Sequence, residues 1–218
     1  MKYYIAPALV AAALIASPDA DADDNLWIAA RAGTQGIGLE GTWRPVPYLD
    51  LRLGFGQYDF DTTRNEAGID YDVNVDISTF YATLNARVPL SPVRFSAGLV
   101  SNGNEASFLG NDTGTYTIGG ETFDATDVGT LRGTTSWDDI APYAGMGLDF
   151  RIADTLGLHF DAGVMYQGEG SVTLTADGTL ANNQILIDAL EEERAELEDE
   201  LGDYEWYPVV AVSFSFNF

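Results

Sequence analysis

The chain has 218 residues, 34 Asp or Glu against 10 Lys or Arg, a formal charge of −24, 23 glycines and no cysteine. The absence of cysteine excludes a disulfide framework and any Cys-based metal or redox centre. So acidic a balance argues against nucleic-acid binding, which calls for a basic patch.

In chain order, Met1-Lys2 precede an apolar run over Ile5–Ala16 and a small-x-small site at Ala20-Asp21-Ala22. A positive start, a short apolar core and such a site predict a secretory signal peptide over 1–22, with a mature domain over 23–218. The alternative is an anchor helix, but this stretch is short for a span and is bracketed by Pro7 and Pro18. No other segment is long and apolar enough for a membrane helix, so an exported chain could span a membrane only as a barrel.

Eight strands are expected: Leu26–Gly33, Ile37–Arg44, Tyr48–Tyr58, a fourth ending at Val88, Val93–Asn104, Trp137–Ile152, Leu156–Gln167, and Tyr204–Phe218. Pro45-Val46-Pro47, Pro89-Leu90-Ser91-Pro92 and Ala153-Asp154-Thr155 make tight turns at one end. Longer connections, taken as loops over 59–70, 105–135 and 168–203, fall at the other. Short turns on one side and long loops on the other are the asymmetry of an outer-membrane barrel.

The strands share one pattern of period two. Leu49, Leu51, Leu53 and Phe55 alternate with Asp50, Arg52, Gly54 and Gly56. Leu158, Phe160, Ala162 and Val164 alternate with His159, Asp161 and Gly163. The last strand sets Val210, Val212, Phe214, Phe216 and Phe218 against Ala211, Ser213, Ser215 and Asn217. A soluble barrel puts its oily face inward, and here the other face is too small and charged to be such a core. The fold class expected is therefore all-β, an eight-stranded antiparallel transmembrane barrel. The fourth strand breaks phase, with Val73, Val75 and Ile77 on odd numbers and Phe80, Leu84, Ala86 and Val88 on even ones. Either a bulge near Ser78-Thr79 or an upper part beyond the membrane would reconcile them.

The inward face collects Arg31, Arg44, Arg52, Arg87, Arg94 and Arg151 with Glu40, Asp50, Asp149, Asp161 and His159. Opposite charges in a narrow interior pair, because an unpaired buried charge is costly. This lumen-lining set is thus either a salt-bridged plug or a polar solute path. The long connections hold 25 carboxylates against Arg64, Arg132 and Arg194. They form either a plain solvated surface or a rim that concentrates cations. No D-x-[DN]-x-[DN]-G loop occurs, so no metal or cofactor is expected. In the last connection, Ile185–Leu201 predicts an acidic helix, capped by Asn182 or Asn183 and ended by Gly202. Its stripe of Leu186, Leu190, Leu197 and Leu201 calls for a cover, as a packed helix or as a mobile lid. No catalytic motif surrounds the sole histidine, so no enzyme is expected.

Several segments resemble the CarO (carbapenem-resistance-associated outer-membrane protein) family. They are Asp139-Ile140-Ala141-Pro142-Tyr143 with Gly145 and Gly147, then Gly163, Tyr166, Gly168 and Val172-Thr173-Leu174-Thr175. Tyr204-Glu205-Trp206, Pro208-Val209, Ala30–Ala32 and the Thr34–Gly36 turn are also similar. The resemblance implies an eight-stranded barrel linked to uptake of small solutes, including basic amino acids such as ornithine, and to carbapenem entry. The expected location is the outer membrane of a Gram-negative bacterium, among lipid and lipopolysaccharide. Phe214, Phe216 and Phe218 resemble the terminal signal read by the barrel-assembly machinery. The other expectation is a non-conducting barrel whose acidic loops contact lipopolysaccharide, cations or other cells.

Overall fold

The computed structural model describes residues 25–66, 69–110, 114–153 and 155–217. The expected export segment and the carboxy-terminal Phe218 lie outside the described residues. In chain order the strands begin with β1 (Leu26–Gly33), β2 (Gly36–Val46), β3 (Leu49–Glu66), β4 (Ile69–Arg87) and β5 (Val93–Asn102). Then come β6 (Glu105–Gly110), β7 (Thr115–Ile118), β8 (Glu121–Asp124), a one-turn helix α1 (Ala125–Val128) and β9 (Leu131–Ser136). The remainder is β10 (Ile140–Ala153), β11 (Leu156–Tyr166), β12 (Ser171–Ala176), α2 (Gln184–Leu201), a 3-10 turn at Gly202–Tyr204, and β13 (Trp206–Asn217).

Eight of these strands close an antiparallel barrel in the order β1–β2–β3–β4–β5–β10–β11–β13, with β13 pairing back onto β1. The expected barrel is therefore present, with both described ends of the chain at the end of the short turns. The first connection turns on Gly36, whose φ of 90° lies in the left-handed region open to glycine.

The barrel's outside is apolar. Leu53, Leu84, Phe95, Leu99, Met146, Val210 and Phe214 all stand exposed, Leu84 by 67% and Phe214 by 62%. A continuous apolar band of this kind suits hydrocarbon rather than water. Exposed Trp43 and Tyr48 mark its turn-side edge, and Trp206 packs at a tilt against Tyr166 (5.0 Å between ring centroids) at the other. Aromatic girdles at both edges are what a bilayer's two interfaces favour. With every barrel strand paired on both sides, no open edge meets the lipid.

The long connections differ from the sequence expectation. The loop expected over 59–70 is strand in its described residues: β3 and β4 run on past the barrel with unbroken register from Leu49↔Ala86 to Glu66↔Ile69. The bulge suggested near Ser78-Thr79 is absent, and the phase change marks where β4 leaves the barrel. There it exchanges β5 for β6 as its neighbour without changing register (Thr79↔Asn102, then Asp76↔Glu105). β6, β9 and β12 extend this upper sheet, so the expected loop over 105–135 is largely strand and helix in its described residues. Tyr116, Ile118, Val128, Leu131, Leu186 and Ala189 bury together as a second core outside the barrel. α2 lies on that core through Leu186 and Ala189, the packed alternative for the helix. Asn183 caps it by accepting from the Ile185 N–H at 2.9 Å. Gly202 follows it in a right-handed conformation and continues into the 3-10 turn.

Candidate functional site

Inside the barrel, alternation brings charged side chains from seven strands to one level. Arg31 (β1) pairs with Glu40 (β2) at 3.3 Å, and Glu40 with Arg52 (β3) at 3.2 Å. Arg52 lies 3.5 Å from Asp50, Asp50 2.7 Å from Arg87 (β4), and Arg87 2.8 Å from Asp149 (β10). Asp149 meets Arg94 (β5) at 2.9 Å, Arg94 meets Asp161 (β11) at 2.5 Å, and Asp161 returns to Arg31 at 3.0 Å. Four guanidinium groups and four carboxylates thus alternate in a closed ring. A cross-link from Arg52 to Asp149 at 3.4 Å spans it. Each acid touches at least two arginines, which is the compensation that buried charge requires.

Small residues on the inward face make this possible. A Cβ on Gly147 would lie 2.6 Å from the Arg94 guanidinium carbon, so glycine there lets Arg94 lie flat against β10. Gly54 stands opposite Tyr81 in the β3–β4 register and leaves its wall open for the Tyr81 ring. Tyr81 Oη donates to Glu40 at 2.9 Å while Arg31 lies over the same ring at 5.0 Å.

Above the ring the lumen becomes apolar. Tyr81, Val100, Ala141, Tyr143, Met165 and Val209 form a buried cluster, with Tyr207 against it. None of these was among the charged residues singled out from the sequence. The alternation and the Gly54–Tyr81 opposition were the available signals. At the level of the ring and Tyr81, water centres can occupy only about 10 Å³. That is room for about one water, and far too little for an amino acid.

The remaining charged residues lie below. Arg44 and Arg151 are not in the ring; Arg151 instead stacks over Trp27 at 5.5 Å. His159 has both ring nitrogens engaged, Nδ1 with Asp149 and Nε2 with Ser215 Oγ, each at 2.7 Å. The two distances match a Ser-His-Asp relay. The surroundings do not match one. Asp149 is already shared among Arg52, Arg87 and Arg94, and Ser215 is buried on a paired strand whose N–H groups serve the ladder. The relay fixes the imidazole; it supplies no oxyanion donors.

Outside the barrel, several acids have structural work. Glu193 accepts from the Gly119 N–H at 2.8 Å and Glu198 from the Val172 N–H at 3.0 Å, tying α2 to β7–β8 and β12. Arg194 pairs with Glu191 and Glu198. Asp59, Asp76 and Glu105 stand side by side across β3, β4 and β6. Partial burial, with Asp59 and then Glu105 beside it, raises the Asp76 carboxyl above its ordinary value.

No family model and no curated protein matches this chain. Among solved structures it is similar to Acinetobacter baumannii CarO2, with a TM-score of 0.60 and 23% identity. It is likewise similar to Acinetobacter baumannii CarO, with a TM-score of 0.59 and 24% identity. In each case 89% of this chain and 98% of the other are covered. The likeness extends to the fold: a closed, CarO-like, eight-stranded antiparallel barrel.

Proposed function

We propose that this protein is an outer-membrane barrel, closed at rest, that holds a folded acidic module outside the membrane. The observation that carries this reading is the filled lumen, in which a closed ionic ring lies beneath an aromatic layer. With room for about one water at the level of the ring, the lumen conducts no solute without rearrangement. On this reading the acidic module meets cations, lipopolysaccharide or other cells. The barrel itself serves as anchor, inserted by the assembly machinery through the aromatic end of β13.

A second reading is favoured by the charged lumen between an acidic outer rim and a basic inner mouth. It is a narrow, gated path for small zwitterionic or cationic solutes, with basic amino acids and carbapenem-type compounds the candidates carried over from the family resemblance. Flux into proteoliposomes, comparing ornithine and lysine with glutamate, separates the two. Uptake no faster than in empty liposomes supports the closed scaffold. Saturable uptake of ornithine or lysine above glutamate replaces it with the gated path.

A further inference from the structure

Below the ionic ring, at the turn-side mouth, the lumen widens into a pocket where water centres can occupy about 80 Å³. Six charged or titratable side chains line it: Arg44, Arg52, Arg87, Arg151, Asp149 and His159. The one carboxylate, Asp149, is already taken up by Arg52, Arg87, Arg94 and His159. The ring is neutral in itself, four against four. Arg44 and Arg151 line the same pocket but make no salt bridge of their own among the described residues.

Both arginines stand at irregularities of the sheet. The β2–β3 register shifts between Trp43 and Val46, and the β10–β11 register shifts between Arg151 and Ala153. Such bulges re-aim side chains at barrel rims. Pro45 breaks the ladder beside Arg44, because it has no N–H to give. Arg44 Nε is buried and donates to no acceptor among the described residues. A buried charged donor left unmet is costly, and an incoming acceptor recovers that cost. Thr42 adds a hydroxyl to the same wall.

We propose that this mouth is a binding site for a small oxyanion, a carboxylate or phosphate group, held by Arg44 and Arg151 with Arg87 and Thr42 beside them. Guanidinium groups present paired N–H donors that match a carboxylate or phosphate edge. The ring above blocks deeper entry, so the ligand binds from the turn side. The site does not require the lumen to conduct and stands under either reading of function.

His159 is the only histidine in the chain, so its ring resonances report on this pocket alone. The full-length mature chain, folded in a detergent without phosphate, is titrated with sodium phosphate, sodium acetate and, at matched ionic strength and fixed pH, sodium chloride. The site predicts a saturable shift of the His159 signals with phosphate or acetate beyond that with chloride. It also predicts apparent affinity weakened about tenfold or more in Arg44→Gln with Arg151→Gln, on the scale of one charge-assisted hydrogen bond. Arg194→Gln, on α2, should leave the response unchanged. Reconstitution into phosphatidylglycerol bilayers without added anion separates the sources: the same shift there identifies a lipid headgroup, and its absence a free anion. No saturable response beyond chloride overturns the proposal, as does an unchanged response in the Arg44/Arg151 variant. A response that emerges only after Asp23, Asp24 and Asp154 are changed to Asn overturns it too, because the chain then fills its own pocket.

Discussion

Arg52 and Asp149 meet across the barrel interior at 3.4 Å, joining β3 to β10 although β4 and β5 stand between them in the wall. Arg52 also contacts Glu40 and Asp50 and is buried to 3% exposure. Arg52→Ala thus leaves three carboxylates with less compensation at once. The expected loss is about 3–5 kcal/mol, the scale of breaking a buried ion pair by removing one partner. Denaturant unfolding in lipid vesicles measures it, and a loss below about 1 kcal/mol would mean that water already reaches the ring.

The aromatic layer makes a separate prediction about closure. Replacing Tyr81 and Tyr143 with Ala removes the two rings directly above the ions. Small-solute swelling of proteoliposomes should stay at the background rate if the ring alone suffices to shut the lumen. A rise above wild type locates the closure in the tyrosines instead.

Asp149, His159 and Ser215 have the spacing of a hydrolytic relay, and a direct assay decides whether that spacing does chemistry. Turnover of a short-chain nitrophenyl ester is expected to be the same for wild type and Ser215→Ala. Activity that disappears with Ser215 and with His159→Ala together would reassign the site.

Acid titration should act on the upper sheet with a definite sign. Because the folded-state carboxyl of Asp76 is raised, the folded form holds its proton to higher pH than the unfolded form does. Its contribution to stability is therefore present at low pH and falls as pH rises through the window between the ordinary and the raised value. Asp76→Asn should slow hydrogen exchange in β4 and β6 near neutral pH and have little effect at low pH. Relief of like charges across strands is worth roughly 0.2–1 kcal/mol. Faster exchange in the variant at neutral pH contradicts the assignment.

The barrel was legible because lipid imposes a strict alternation, and residues such as Leu49–Gly56 obey it without exception. The helix was legible from Asn183 and the leucine stripe. The upper sheet was not. Its strands carry Asp, Asn, Thr and Ser at positions that lipid does not police, so Asp59–Glu66 looked like a loop. Val73, Val75 and Ile77 did register as a phase change, whose cause was a new neighbour rather than a bulge. At the candidate site, alternation identified which charges face inward, but not who meets whom. Partners such as Arg52 and Asp149 are 97 residues apart and depend on how the strands are staggered around the barrel. Tyr143 falls on the inward face by alternation, but neither it nor Tyr81 carries a charge that would mark it as part of the lumen's closure.

The ring's charges are unevenly dealt among the hairpins. β1 with β2 contributes one of each sign, and so does β3. The β4–β5 hairpin brings only Arg87 and Arg94, whereas β10–β11 brings only Asp149 and Asp161. These two hairpins are the ones that the outer insertion separates along the chain, and β5 must find β10 across it. Their lumenal charges are opposite, so the pairing most distant in sequence at that point is also one that electrostatics favours. Arg87 and Arg94 on one side and Asp149 and Asp161 on the other thus clasp the seam that the insertion interrupts.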